Sequence, residues 1–95
     1  MPFEIITTLN ARRDIQQAID WENNRSANLG ERFVEYLHLK LTSLSVTPFI
    51  GSVRYENVRC TTTDVFQYLI HYTVDVELQQ IIITRVLHTR QKPIW

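Results

Sequence analysis

VFQYLIHYTVDVELQQIIITRVLHT, residues 65–89, holds two apolar runs separated by a short polar turn. In 65–74 the residues alternate: Phe66, Tyr68, Ile70, Tyr72 and Val74 share one side, and Val65, Gln67, Leu69, His71 and Thr73 share the other. Asp75 to Glu77 is a tight connection, and 78–89 is the longest and most apolar strand of the chain. Both faces of 78–89 are largely apolar, so alternation alone leaves open which sheet face is covered.

Upstream, VRYENVRC (53–60) reads as a further strand, with Val53, Tyr55, Asn57 and Arg59 on one face and Arg54, Glu56, Val58 and Cys60 on the other. TTTD (61–64) reads as the turn that follows it. Before Pro48 and Gly51 the period changes. Leu29, Phe33, Leu37, Leu41 and Leu44 step by four, four, four and three, which keeps them on one face of a helix. Asn28, three residues before Glu31, has capping-box character at its start. The polar stretch 23–28 separates this helix from an earlier one, which Asn10 begins as N-cap and which runs to about Glu22 with Ile15, Ala18 and Ile19 as its buried stripe. FEIITT (3–8), rich in β-branched residues, reads as a first strand. The order β-α-α-β-β-β predicts one α+β domain over 1–95, a helical hairpin packed on a small antiparallel sheet.

Composition narrows the function. With 44% hydrophobic residues and two glycines among 95 residues, the chain can bury a modest core. Net charge is zero, so a long duplex-binding stripe is not supported. Basic residues concentrate at 85–92, where Arg85, Arg90 and Lys92 stand with no acid between them. The single cysteine, Cys60, points to a reducing compartment, most simply the cytosol. No stretch approaches the roughly 18 apolar residues of a membrane span, and the N-terminus MPFEIITT lacks the pattern of a signal peptide.

No pair among His38, His71, His88 and Cys60 has ligand spacing, so neither a metal nor another cofactor is expected. Glycine-rich phosphate loops and GxSxG elbows are absent. His38 reads as a partly exposed helical residue and His71 as a satisfied surface histidine. His88 stands out because Arg90 shares its strand face and Arg85 and Lys92 are near. An imidazole can act as acid or base near neutrality, and guanidinium groups can hold a phosphate. The same residues also suit a basic strand end that grips a partner, and both readings stay open on the residues alone. Trp95, after Pro93, reads as an aromatic that docks on a nearby apolar surface.

ARRDIQQAIDWEN, NLGERFVEYLHLKLTSLSVTP, VFQYLIHYTVD and IIITRVLHTRQKP, in that order, resemble the RelE/ParE superfamily of bacterial toxins over nearly the whole chain. The resemblance implies the toxin of a type II toxin–antitoxin pair, neutralised by a small antitoxin whose C-terminal segment wraps the helices and sheet. It also implies assembly as a homodimer or as a heterotetramer with the antitoxin. RelE-like members cut messenger RNA in the ribosome, and ParE-like members inhibit DNA gyrase. For a nuclease, Arg90 matches a basic position of the last strand, His88 resembles the catalytic histidine of some relatives, and Arg59 and Glu56 are the remaining candidates. Tyr68 departs from that pattern, standing where a nuclease often has arginine. The V-F-x-Y-L-I-x-Y and R-V-L-H-x-R patterns look more like the ParE branch of plasmid stabilisation proteins. There the resemblance implies a non-catalytic target- or partner-binding surface, here Arg85, His88, Arg90, Lys92 and Trp95.

Overall fold

A computed structural model of the chain describes residues 2–91. Thr8 opens the helical hairpin: extended in backbone, it accepts the Ala11 N–H on its side-chain oxygen, which satisfies one of the orphan donors of the first turn. The cap is therefore two residues earlier than Asn10, and helix α1 runs Leu9–Arg25. Helix α2, Leu29–Val46, starts differently from the expected capping box. Asn28 adopts a left-handed backbone (φ 69°) and makes no side-chain cap bond. The role passes to Asn23 at the end of α1, whose Oδ1 accepts the Gly30 N–H at 2.8 Å. A Cβ at Gly30 would lie 2.6 Å from the Ile19 carbonyl oxygen, so only glycine lets the two helices meet here.

Five strands form one sheet in the order β1-β5-β4-β3-β2. They are β1 (Glu4–Thr7), β2 (Ser52–Tyr55), β3 (Val58–Thr62), β4 (Tyr68–Asp75) and β5 (Gln80–His88). β1 lies parallel to β5, and the other neighbours are antiparallel. The α+β class and the helical hairpin on a sheet stand as expected. The strand read as 53–60 is instead a hairpin of two, turning at Glu56 and Asn57 with Glu56 left-handed at φ 48°. Thr61 and Thr62, expected in a turn, belong to β3, and the reversal moves to 63–67, where Val65 (φ 72°) and Gln67 (φ 57°) are left-handed. A left-handed β-branched residue is sterically costly, and no local pattern signals one.

Phe33, Leu37 and Leu44 of α2 pack with Tyr68, Ile70 and Tyr72 of β4 and Ile81, Ile83 and Val86 of β5. This settles the covered face. Each such side chain contributes roughly 1.5–3 kcal/mol on burial. Tyr72 also accepts the Gly51 N–H on its hydroxyl at 2.8 Å, fixing the approach to β2. On the opposite face His71, expected at the surface, is 1% exposed and lies 3.0 Å from the Tyr55 hydroxyl through Nδ1. Cys60, which pairs with His71 across the strands, is buried there too.

Candidate functional site

A groove of about 960 Å³ runs between the helical hairpin and the end of the sheet where β5 finishes. Helical spacing builds two of its walls. Asp14, Ala18, Trp21 and Arg25 succeed one another along α1, and Leu29, Arg32 and Tyr36 along α2. The third wall is the 65–68 reversal with Phe66 and Tyr68, and the fourth is Val86, His88 and Arg90. Trp21 is 61% exposed on the rim. Phe66 meets Phe33 edge-on, with centroids 5.7 Å apart, and Tyr36 at 5.8 Å, which gives an aromatic floor.

Asp14, the acid that lines the groove, and Glu22, buried behind Tyr68 and Arg25, are both engaged within the fold. Glu22, 1% exposed, accepts the Tyr68 hydroxyl at 3.0 Å and the Arg25 guanidinium at 2.8 Å. Burial first, and then the bond to Glu22, push the Tyr68 phenol well above its ordinary range, so it stays a neutral donor. Asp14 accepts the Arg85 Nε at 2.7 Å, its NH2 at 3.1 Å and the Val86 N–H at 3.0 Å. A shift in the β4–β5 register between His71 and Tyr72 lies beside these bonds, and β1 pairs with β5 only as far as Ile83. Asp14 thus supplies the acceptor that the Val86 amide lacks from a neighbouring strand. Arg32 and Arg90 form no ion pair among the described residues, which leaves the groove with uncompensated positive charge on opposite walls.

His88 closes β5. Its ring stands edge-on to Tyr68, centroids 5.1 Å apart at 87°, and its Nδ1 accepts the Arg90 N–H at 3.1 Å. Arg90 follows on the exposed turn. The structure places His88 and Arg90 on one groove, with Arg90 on the turn after β5 and not on the strand face it was expected to share with His88, while Arg85 is turned to Asp14. Arg59 and Glu56 are elsewhere. Arg59 pairs opposite Tyr72, four residues along β4 from the Tyr68–His88 pair, a separation of about 13 Å at a strand's rise. There it donates to the Gly51 carbonyl at 2.8 Å and lies over Phe49 at 5.0 Å. Glu56 is further still, in the β2–β3 turn. Lys92 and Trp95 lie outside the described residues. Among the described residues no group of three His, Cys, Asp or Glu is arranged to hold a metal, and no helix is long and apolar enough to cross a membrane.

Trp21, Arg25, Arg32, Tyr36 and Phe66 were not singled out in the sequence. The signal was a second helical stripe beside the apolar one: 14, 18, 21, 25 on α1 and 29, 32, 36 on α2.

Residues 5–93 match a family model described as the ParE toxin of the type II toxin–antitoxin system parDE. No curated protein matches the sequence. Among solved structures, a chain of the chromosomal ParDE system from P. aeruginosa superposes with a TM-score of 0.78 at 16% identity, covering 90% of this chain and 95% of that one. The RelBE2 toxin–antitoxin complex of Mycobacterium tuberculosis gives 0.65 at 24% identity, over 93% and 99%. The intact E. coli RelBE complex gives 0.67 at 14% identity, over 94% and 99%. These three likenesses show the fold.

Proposed function

The chain belongs to the ParE toxin family of type II toxin–antitoxin systems, and we propose that it arrests growth in the cytoplasm by binding and inhibiting DNA gyrase. A cognate antitoxin is its second partner; the similar mycobacterial and E. coli structures are toxin–antitoxin complexes. The observation that carries the reading is the separation of the nuclease candidates. Ribosome-dependent cleavage needs a base, an acid and cations converging on one phosphate. Arg59 and Glu56 stand away from His88 and Arg90, and Asp14, Glu22 and Tyr68 are committed to internal bonds. What remains is an apolar, aromatic groove bordered by Arg25, Arg32 and Arg90, which suits a protein segment carrying carboxylates.

The ribonuclease reading keeps one supporting observation: His88 shares its groove with those three guanidinium groups. Purified protein added to ribosomes translating a defined message separates the two. The binding reading predicts that the message stays intact. A discrete, ribosome-dependent truncation of the message contradicts it.

A further inference from the structure

His88 is held by an unusual set of bonds. Its own N–H donates to the Gln91 Oε1 at 2.6 Å, its carbonyl accepts the Gln91 N–H at 2.9 Å, and its Nδ1 accepts the Arg90 N–H at 3.1 Å. Thr89 N–H donates to the Gln67 carbonyl at 3.0 Å, which fastens the same turn to the start of β4. The His88 backbone and ring together thus fasten 88–91, and the ring's share is the bond that fixes the Arg90 amide.

The direction of the Nδ1 bond carries chemical information. A backbone amide can only donate, so Nδ1 must offer a lone pair and the ring proton must sit on Nε2. In that tautomer Nε2 has no lone pair with which to act as a base, and a neutral imidazole N–H is a weak acid. Protonating Nδ1 sets two donors against each other and removes the bond to the Arg90 amide. On its other side the ring abuts Tyr68, Tyr68 bonds Glu22, and Glu22 bonds Arg25. A continuous chain of contacts therefore joins the guanidinium of Arg25 on α1 to the turn that carries Arg90.

We infer that His88 is a positioning residue: its Nδ1 lone pair and its ring on Tyr68 set the turn that delivers Arg90 to the groove, across from Arg25. The inference deepens the proposed function and rests on the groove's role in binding a protein partner. It assigns the conspicuous histidine of this chain a task other than acid–base chemistry or direct contact. The electrostatic work falls to Arg90, whose charge meets a carboxylate of the partner.

Asparagine and glutamine separate the roles. The Asn side-chain oxygen falls near the place of Nδ1 and can accept the Arg90 amide, whereas the Gln oxygen falls near Nε2 and cannot. With the full chain induced in a bacterial host, growth arrest is measured against inducer level for His88→Asn, His88→Gln and Arg90→Ala. The inference predicts that Gln loses as much potency as Arg90→Ala, roughly tenfold for one charge-assisted contact, and that Asn recovers most of that loss. Equal losses for Asn and Gln, with both proteins folded, overturn it.

A second readout needs no target. In the imidazole nitrogen spectrum of the intact protein, His88 should show a pyridine-type Nδ1 and a pyrrole-type Nε2. The opposite tautomer overturns the inference. If the unsubstituted chain arrests growth yet leaves gyrase untouched, the gyrase reading falls while the Asn/Gln comparison and the nitrogen spectrum still decide the role of His88.

Discussion

Asp14 of α1 holds Arg85 of β5 through both carboxylate oxygens, at 2.7 and 3.1 Å, although 71 positions separate the two. The same carboxylate accepts the Val86 amide, so one side chain fastens the helix to the strand beyond the reach of β1. Asp14→Ala leaves a half-buried guanidinium and a buried amide without their acceptor. The expected cost is about 2–4 kcal/mol. Asp14→Asn keeps one acceptor oxygen and should cost less. Urea unfolding of both variants checks the order; equal stability of Asp14→Ala and the unsubstituted chain refutes it.

Tyr68→Phe removes the hydroxyl that Glu22 accepts while keeping the ring against His88. A buried carboxylate oxygen then lacks its donor, at a cost of about 1–3 kcal/mol. For a domain of this size the melting temperature should fall by about 4–8 °C per kcal/mol. An unchanged melting temperature would show that water replaces the hydroxyl without loss.

Gly30→Ala places a methyl group 2.6 Å from the Ile19 carbonyl and 2.7 Å from the Asn23 amide nitrogen. Both helices must separate, or Asn23 must abandon its bond to the Gly30 amide. Destabilisation of about 1–3 kcal/mol is expected. Alanine normally favours a helix, so a gain in stability would show that the helices do not approach this closely.

His71 should make the fold sensitive to acid. Burial, and secondarily the charge of Arg85, hold its imidazole below the ordinary value of 6.5, against an opposing pull from Asp14. The unfolded chain, with an ordinary histidine, takes up the proton first as pH falls. Stability is therefore full above about pH 7 and declines as pH drops below about 6.5, until the folded histidine also titrates. Thermal unfolding measured from pH 8 to 5 should show that decline. His71→Asn should flatten this slope even though it lowers stability at pH 8.

Much of this architecture was legible in the sequence because the residues concerned obey local periods. Phe33, Leu37 and Leu44 repeat at helical spacing, Tyr68, Ile70 and Tyr72 alternate, and all are buried. The hairpin at Glu56 was not legible, because glutamate seldom takes a left-handed backbone and VRYENVRC alternates well enough to pass as one strand. Val65 and Phe66 look like strand residues, yet they turn, since the reversal must deliver Phe66 to the aromatic floor. The groove escaped for another reason. Asp14 and Glu22 look like solvated helix acids, and only folding brings them Arg85 and Tyr68. His88 and Arg90 stand out in the sequence, but their bond runs between a side chain and a backbone amide, which no spacing rule records.

Inhibition by binding at the groove is read out in gyrase-catalysed supercoiling of relaxed plasmid. Titrated into that reaction, the protein should abolish supercoiling, and Arg90→Ala should need roughly tenfold more protein for the same effect. Supercoiling that proceeds undisturbed at saturating protein, from a preparation that still arrests growth, would contradict it.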